Sequence, residues 1–446
     1  MERYAQYKES GVEWIGEIPE NWEVKKLKYG VTVNPSKDVI DKTSSELVVF
    51  LPMEKVTEDG KIDCSIKKPI FALYNGFTCF RKNDVIVAKI TPCFENGKGA
   101  FLNKLETEFG FGSTEFHVLR VRTDVCDLFL YYVTKSEVFM KVGEAFMSGA
   151  AGQKRVPTDF IADFPLVSPS KPEQIAIANY LDRKTSEIDK LIAQKERLLS
   201  LYEEEKTTII NQAVTQGINP DVKLKNSNID WLRDIPVHWK VTVLKRLVTK
   251  ITDGEHISPK FTQIGMPFLS AKDVRDGYVQ LPNDKFVDYD DGLRFRNRCN
   301  PELNDILLVS RGATVGRVAI IDTNTVFCLL GSVILLKPKE EILFTYFFYS
   351  LKNKLLQDNF LLASQSSAQQ AIYLVDVGTV FLAIPSFEEQ TSIVKHIEIE
   401  TARINAKMAK TKKIITLQKE YRTALISEVV TGKIKVSHLS IGEVTS

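Results

Sequence analysis

Several features that mark membrane, secreted or metal-binding proteins are missing from this sequence of 446 residues. It has no run of 18 apolar residues, and no apolar signal segment follows its first residues. We therefore expect a cytoplasmic protein with no membrane partner. The six cysteines form no CxxC pair and lie at least 14 residues apart, which indicates buried free thiols and argues against a zinc site or a disulfide framework. No metal site is expected.

Motifs for nucleotide and cofactor binding are also missing. There is no Walker A sequence GxxxxGK[ST], so no ATP site is expected. The adenine-methyltransferase motif [DN]PP[FY] fails at its second proline at 34–36 and at 300–302, and the sequence EFGFG at 108–112 is better explained as a turn than as the cofactor loop FxGxG. Acidic residues within 182–206 lack a second acidic strand, so we interpret them as a solvated helix face. No catalytic residue is assigned.

Charge of one sign is not in excess either. The net charge is +2, so a nucleic-acid surface would have to come from local clustering of lysine and arginine. Apolar residues make up 44% of the chain and charged residues 26%, which is ordinary for globular protein. The length allows two to four domains.

What the sequence does contain is a long stretch, 169–215, with the pattern of a single helix. Neither proline nor glycine interrupts it after residue 173. Its apolar residues recur at spacings of three, four and seven, with charged residues between them: Ile188, Leu191, Leu198, Tyr202 and Ile209. This pattern predicts a helix of roughly 60 Å with one narrow apolar stripe, suited to packing against a second long helix.

The second helix is predicted at 385–431, because the chain is an internal duplication. A shift of 216 residues places Glu173-Gln174 on Glu389-Gln390, and the match continues without a gap to 430–431. Upstream, the motif W-x-x-[ED]-I-P-x-x-W occurs at 14–22 and again at 231–239. We interpret its four tryptophans as core anchors.

The segments between these motifs share an order of elements but few side chains. In the first repeat, β-type runs at 47–51, 84–88 and 116–121 precede a predicted helix at 128–146. The second repeat follows the same order, with a helix predicted at 343–360. A common scaffold that presents two different surfaces would produce this contrast.

The predicted fold class is α+β, with two pseudo-symmetric mixed α/β domains separated by an antiparallel pair of long coiled-coil helices. Antiparallel pairing would place the end of each helix beside the start of the other repeat and would bring the chain termini close together. The predicted boundaries are 1–168 and 218–384 for the two domains, 169–217 and 385–432 for the helices, and 433–446 for a tail.

These features resemble the specificity subunit of Type I restriction–modification systems. The resemblance rests on the repeated tryptophan motif, on the P-x-x-x-[EQ]-Q opening of each long helix and on the ending ALISEVVTGK at 424–433, and it covers nearly the whole chain. It implies that each domain is a target recognition domain for one half of a bipartite, asymmetric site in double-stranded DNA, with a gap whose length the helices set. It also implies a non-catalytic subunit without cofactors. Two adenine-N6 methyltransferase subunits would carry S-adenosylmethionine, and restriction subunits would use ATP and Mg.

If the chain binds DNA, most affinity should come from lysine and arginine on phosphates, and specificity from a few side chains on base edges. In the first repeat the candidates occupy the loops after the strand at 84–88 and after the helix: Lys89, Thr91, Asn96, Lys98, Gln153, Lys154 and Arg155. Similar positions of the second repeat hold Ser310, Arg311, Thr314, Arg317, Gln365, Gln369 and Gln370. The alternating residues Arg294, Arg296 and Arg298 are expected to share one face of a strand.

Each of these candidates could also be ordinary solvated surface. Gln153 and Gln369 could hold backbone or phosphate, because they occupy equivalent positions in repeats with different sequences. Two alternative functions of the whole chain are a coiled-coil adaptor that binds only protein and an enzyme with an unrecognised site. Sequence-dependent, salt-sensitive retention of duplex DNA would exclude the adaptor.

Overall fold

The computed structural model describes residues 2–37, 40–122, 124–150, 152–365 and 371–436. The chain divides into two compact units. Unit 1 comprises 1–196 and 413–446, and unit 2 comprises 197–412. Each unit therefore contains one mixed α/β domain together with one half of each of two long helices, and the two dividing points, 196 and 412, are equivalent positions of the duplication.

Unit 1 contains twelve short strands among its described residues. They are β1 (Tyr7–Glu9), β2 (Glu17–Pro19), β3 (Glu23–Lys26), β4 (Val31–Val33), β5 (Leu47–Leu51), β6 (Lys67–Pro69), β7 (Thr78–Arg81), β8 (Val85–Ala88), β9 (Gly99–Phe101), β10 (Phe109–Gly112), β11 (Phe116–Val121) and β12 (Pro165–Ser168). Its helices are α1 (Ile70–Leu73), α2 (Asp127–Thr134), α3 (Glu137–Ala145), α4 (Thr158–Asp163) and the first part of α5 (Lys171–Gln216).

Two four-stranded sheets form the centre of unit 1. One has the order β4-β11-β8-β9 and is antiparallel throughout. The other has the order β6-β5-β10-β7, with β5 and β10 parallel. The strands predicted at 47–51, 84–88 and 116–121 are confirmed. Apolar side chains between these sheets, such as Leu51, Phe80 and Ile86, are fully buried and form one cluster.

Unit 2 repeats this arrangement. Its described strands are β13 (Leu224–Asn226), β14 (Asp234–Pro236), β15 (Lys240–Val243), β16 (Val248–Asp253), β17 (Met266–Leu269), β18 (Phe286–Val287), β19 (Ile306–Val309), β20 (Val318–Ile320), β21 (Cys328–Leu329), β22 (Val333–Pro338) and β23 (Phe381–Ile384). Its helices are α6 (Tyr289–Arg298), α7 (Phe344–Leu351), α8 (Lys354–Gln365), α9 (Leu374–Thr379) and the first part of α10 (Phe387–Val430). The sheet order β16-β22-β19-β20 matches that of the first sheet of unit 1. The three-stranded sheet β18-β17-β21 corresponds to β6-β5-β10, again with one parallel pair, and has no counterpart of β7 among the described residues.

The two long helices are paired antiparallel within each unit. In unit 1, Arg422 of α10 lies 2.9 Å from Asp189 of α5, and Lys419 of α10 lies 3.9 Å from Glu196 of α5. In unit 2, Arg403 lies 3.4 Å from Glu205, and the Lys407 ammonium lies 5.7 Å from the centre of the Tyr202 ring. Residue numbers rise along one helix as they fall along the other, so the predicted antiparallel pair is confirmed.

The buried stripe of α10 follows the heptad spacing of a coiled coil. Its members are spaced alternately by four and three residues: Ile397, Thr401, Ile404, Met408, Thr411 and Ile415. On α5 the predicted stripe is confirmed at Ile188, which is buried. At two other positions the next residue is buried instead: Ile192 in place of Leu191 and Ile210 in place of Ile209. The helices end at Gly217 and Gly432, which have φ angles of 77° and 75° that favour glycine.

A tryptophan at the start of each domain is fixed to the opening of a long helix. The Trp22 indole N–H donates to Glu173 at 3.1 Å, and the Trp239 indole N–H donates to Glu389 at 3.0 Å. Both rings are fully buried. The repeated Glu-Gln pair is thus explained in part: its glutamate receives the indole, so both long helices begin at a fixed point of their own domain.

The glutamine of each pair holds the helix that follows the central sheet. The Gln174 side chain accepts from the Cys126 N–H at 2.9 Å, just before α2, and the Gln390 side chain accepts from the Leu343 N–H at 2.8 Å, just before α7. The ends of the described part of unit 1 lie together, since the Lys435 N–H donates to the Glu2 carbonyl at 2.9 Å.

Four further sequence-based expectations about the fold need correction. The single helix predicted at 128–146 is two helices, because Ser136 caps the start of α3 by accepting from the Phe139 N–H. The single helix predicted at 343–360 is also two helices, α7 and α8. Trp14 is not a core anchor, since 48% of it is exposed. All six cysteines are free, but only Cys299 and Cys328 are fully buried. None of the helices in the described part of the chain combines the length and apolar composition that a membrane span requires.

Candidate nucleic-acid interface

The structure brings together the two loops that the sequence nominates in the first repeat. The Thr91 N–H donates to the Lys154 carbonyl at 3.0 Å, and the Val156 N–H donates to the Lys89 carbonyl at 2.8 Å. The Thr91 hydroxyl closes the pair by donating to the Gly152 carbonyl at 3.1 Å and accepting from the Lys154 N–H at 3.1 Å. We call residues 89–98 and 152–156 the unit 1 loop pair.

The side chains of the unit 1 loop pair differ in what they can offer a ligand. Asn96, Gln153 and Lys154 are exposed. Arg155 is exposed too, but its guanidinium makes two hydrogen bonds of 2.9 and 3.0 Å to Glu115, and this bonding holds the pKa of Glu115 below its usual value. The charge of Arg155 is therefore balanced by the Glu115 carboxylate. The exposed Lys154 ammonium, in contrast, can contact a phosphate.

Lys89 and Lys98 contact neighbouring parts of unit 1 as well as facing the surface. Lys89 is half-buried and lines a cleft of about 400 Å³ with Asn34, Lys37 and Phe77. The Lys98 ammonium donates to the Met53 carbonyl at 3.1 Å, so its position is fixed. Both remain candidates for phosphate contact.

Unit 2 has a loop pair of the same construction. The Ile372 N–H donates to the Ser310 carbonyl at 2.9 Å, and the backbones of Arg311 and Ala371 form an isolated antiparallel β-bridge. Arg311 is exposed and Thr314 is half-buried. The Arg317 guanidinium donates to the Val274 carbonyl at 3.1 Å, as Lys98 does to Met53 in unit 1.

Ser310 does not belong among the surface candidates. It is only 3% exposed, and its hydroxyl has no hydrogen-bond partner among the described residues. The sequence could not separate it from Arg311, because both residues follow the buried strand β19, which ends at Val309. Its side chain is therefore not at the surface of this structure, and a contact between Ser310 and DNA stays a prediction.

The arginine stripe at 294–298 lies on a helix, not on a strand. The Asp288 side chain caps α6 by accepting from the Asp290 N–H at 2.9 Å, so the helical period decides which residues share a face. Residues 294 and 298 lie on one face of α6 and residue 296 on another.

Each arginine of this stripe already has a partner. Arg296 donates to the Phe327 carbonyl at 2.7 Å. Arg298 pairs with Asp253 at 2.7 Å, and Arg294 pairs with Asp291 at 2.8 Å. The strand prediction is wrong because alternation in a five-residue segment does not reveal an N-terminal cap six residues earlier.

The glutamine candidates of the second repeat fall at and beyond the end of α8. Gln365 is the last residue of that helix, and its side chain lies outside the described residues. Gln369 and Gln370 also lie outside them.

A buried histidine that sequence analysis missed connects the unit 1 loop pair to the sheet. His117 on β11 bonds the Val156 carbonyl through Nε2 at 2.9 Å and the Asn34 amide through Nδ1 at 3.2 Å. The carbonyl needs a donor, so Nε2 carries the proton and Nδ1 accepts from Asn34. Asn34 has a φ of 51°, which asparagine tolerates in turns. The Asn-Pro sequence at 34–35 was the sequence signal for a turn at this position.

We predict that this histidine makes the stability of unit 1 depend on pH. Burial lowers the pKa of His117 below its ordinary value, so the unfolded chain takes up a proton first as the pH falls. The free energy of unfolding should fall below about pH 6.5, by about 1.4 kcal/mol for each unit of pKa depression. Urea titrations at pH 7.5 and 5.5 should show a smaller loss for His117→Gln than for the unsubstituted protein. An equal loss in both would contradict the prediction.

Comparison with known proteins identifies the duplicated fold. The family model described as Type I restriction modification DNA specificity domain matches residues 19–200 and again 236–416. The chain belongs to this family. The sequence-based resemblance is confirmed, and each of the two matches covers one domain with the first part of the long helix that follows it.

Individual relatives agree with this assignment. The chain is 35% identical over 195 residues to the EcoAI specificity subunit of Escherichia coli, an alignment that covers 44% of this chain and 33% of that protein. The chain thus spans about a third of the length of the EcoAI and EcoEI subunits it matches. It is 24% identical over 445 residues to the putative MjaX specificity subunit of Methanocaldococcus jannaschii, covering 95% of this chain and 96% of that protein.

Solved structures share the fold at low sequence identity. One solved structure is described as the structural basis underlying complex assembly and conformational transition of the type I R-M system. One of its chains superposes on this protein with a TM-score of 0.74 at 18% identity, covering 94% of this chain and 99% of that chain. The HsdS subunit from Thermoanaerobacter tengcongensis gives a TM-score of 0.55 at 18% identity, covering 94% and 98%. These likenesses confirm the α+β fold with long helices.

Proposed function

We propose that this protein is a non-catalytic subunit that recognises a bipartite, asymmetric site in double-stranded DNA. Each unit would contact one half-site through its loop pair. The observation that carries the proposal is the contrast between the units: several contacts that hold the scaffold occur at equivalent positions of both units, whereas the exposed side chains of the loop pairs differ. Selection for one frame and two different surfaces fits two unlike half-sites.

The duplicated contacts extend beyond the tryptophan–glutamate pairs. The Glu137 N–H at the start of α3 donates to the Ser427 hydroxyl at 2.8 Å, and the Lys354 N–H at the start of α8 donates to the Asn211 side chain at 2.8 Å. In each unit a residue near the end of a long helix thus fixes the helix that precedes a loop pair. The frame would hold the loop pairs while their side chains vary.

The proposal includes partners that carry the chemistry. We propose that two adenine-N6 methyltransferase subunits with S-adenosylmethionine, and restriction subunits with ATP and Mg, associate with this chain, and that exposed residues of the long helices dock them. The isolated chain should neither methylate nor cut DNA when S-adenosylmethionine or ATP is supplied.

The proposal predicts that the half-sites can be changed one at a time. We expect that replacing residues 23–168 with the equivalent segment of another specificity subunit changes one half-site and leaves the other unchanged, because each unit has its own core and loop pair. The measurement is selection of bound duplexes from a random-sequence library by the full chain with its methyltransferase partner, followed by sequencing. Exchange of the corresponding part of unit 2 is the matched control and should change the opposite half-site.

Two results would contradict the proposal. Equal retention of all duplexes at every salt concentration would favour a protein-only adaptor, since specific recognition should discriminate sequences and weaken with salt. A change of both half-sites after a single exchange would show that the units do not act separately.

A further inference from the structure

One lysine beneath the unit 1 loop pair has contacts that the proposed function does not use. Lys135 directly follows the last residue of α2 and caps that helix, and its side chain is half-buried. Its ammonium donates three hydrogen bonds, all to main-chain carbonyls: Gly97 at 2.6 Å, Gly99 at 2.9 Å and Glu58 at 3.0 Å. All three of its donors are therefore satisfied.

One of these carbonyls, that of Gly97, belongs to the loop that carries candidate DNA contacts, and another, that of Gly99, opens strand β9 directly after the loop. Gly97 and Gly99 flank Lys98, and Gly97 directly follows the exposed Asn96. Gly97 has a φ of 71°, a conformation that the chain adopts at low cost only with glycine. The ammonium therefore binds the backbone at the point where the loop turns, and the exposed side chains stand on that turn.

The rest of the lysine's surroundings fix it in place. Its Nζ lies 5.3 Å from the centre of the Tyr131 ring, and the Tyr131 hydroxyl donates to the Asp59 carbonyl at 3.3 Å. The turn at 57–60 and the loop at 92–99 are thus joined through one ammonium. Hydrogen bonds from a charged donor are stronger than neutral ones, so this junction should be stiff.

The equivalent lysine of unit 2 makes a different contact. Lys352 also directly follows its helix, α7, and its Nζ lies 5.4 Å from the Phe348 ring centre. Its partner is the Asp276 carboxylate at 2.8 Å, which is 70% exposed. Asp276 occupies the position of Asp59, so this lysine holds the turn. Lys352 binds the side chain of a turn residue, whereas Lys135 binds main-chain carbonyls, both of its turn and at Gly97 and Gly99.

We propose that Lys135 is a positioning residue for DNA recognition. Its ammonium binds main-chain carbonyls at Gly97 and Gly99 and so holds the loop at 92–99 in the conformation that presents Asn96 and Lys98. This inference rests on the proposed function. Loss of the ammonium would leave three carbonyls without their donor and release the loop, while the frame of α2 and the sheets would persist. The half-site of unit 1 should then lose definition, and the half-site of unit 2 should keep it.

The test compares Lys135→Met with Lys352→Met in the full chain with its methyltransferase partner. Methionine keeps the length and apolar contacts of lysine without its donors. The probe is a random-sequence duplex library, and the half-site of each unit is known from the domain exchange. We expect Lys135→Met to lower base discrimination in the unit 1 half-site by roughly tenfold, the ratio for one lost charge-assisted hydrogen bond. Lys352→Met should change either half-site by less than about twofold, since its ion pair is largely solvated.

A pH profile separates positioning from general stability. Burial lowers the pKa of Lys135 to about 7, and the neutral amine has two donors for three carbonyls. Discrimination in the unit 1 half-site should therefore weaken from pH 6.5 to pH 9 in the unsubstituted protein, with no such trend in the unit 2 half-site. The titratable groups that face this ammonium come from each neighbouring element: Glu58, Asp59, Tyr131 and Arg422.

Each outcome decides the matter. Undiminished discrimination in the unit 1 half-site of a folded Lys135→Met protein would overturn the inference, and so would an equal loss in both half-sites. If Lys135→Met does not fold, the pH profile of the unsubstituted protein decides, and a flat profile for unit 1 counts against the inference. Absence of any bipartite preference in the unsubstituted protein would instead contradict the proposed function.

Discussion

Replacing Trp22 with alanine is expected to lower the free energy of unfolding of unit 1 by about 3–5 kcal/mol. The ring is fully buried against the end of α10, where Gly432 approaches it closely, and the Tyr4 ring packs on it edge-on with centroids 5.5 Å apart. The substitution opens a cavity and removes the indole donor from Glu173. Thermal and urea unfolding, followed by tryptophan fluorescence and circular dichroism, measure the loss.

Trp14 provides a matched control from the same motif. It is half-exposed, so Trp14→Ala should change the free energy of unfolding by no more than about 0.5 kcal/mol. Trp239→Ala should reproduce the Trp22 effect in unit 2, because Trp239 has the same burial and the same glutamate partner. Comparable losses for Trp14→Ala and Trp22→Ala would refute the division of the motif into an anchor and a surface residue.

Inserting seven residues into both long helices, after positions 196 and 412, is expected to lengthen the gap between the half-sites by about three base pairs without changing either half-site. Seven residues add about 10 Å of helix and preserve the heptad spacing of the buried stripe. Retention of the original duplex should therefore be lost, while a duplex with the longer gap is retained. Duplexes of graded gap length, bound in the presence of the methyltransferase partner, measure this change.

Two control insertions sharpen this experiment. Seven residues added to one helix alone should prevent the antiparallel pairing, because the contacts of Arg422 with Asp189 and of Arg403 with Glu205 cannot all form. Four residues added to both helices should lengthen the gap by less and shift the buried stripe, at some cost in stability. An altered half-site after the double seven-residue insertion would mean that the helices do more than set a distance.

The duplicated buried acids show why the frame was easier to predict than the site. Asp84 accepts from Arg120 at 2.7 and 2.8 Å, and Asp305 pairs with Lys337 at 2.7 Å. In both units the residue before the acid, Asn83 or Asn304, has a φ near 70°. The Asn-Asp sequence stands directly before a strand in both repeats and can be read in the sequence. The cationic partner of the acid lies 32 to 36 residues further along the chain, and no local pattern indicates it.

Sequence alone determined the duplication, the two long helices, their antiparallel pairing, the main strands of the first domain and the family. These follow from local periodicity and from a fixed shift of 216 residues, both of which are written linearly in the chain. The observed helices begin and end within two residues of the predicted limits. The predicted domain boundaries stay a prediction.

Only the tertiary structure decided which polar side chains face outward. It buried Ser310, turned the arginines of α6 onto two faces, and separated the half-exposed Trp14 from the buried Trp22. It also revealed His117 and Lys135 behind the unit 1 loop pair. Burial and partner choice depend on residues far away in the chain, and an isolated segment has the same composition whether its side chains meet solvent, an ion-pair partner or a main-chain carbonyl.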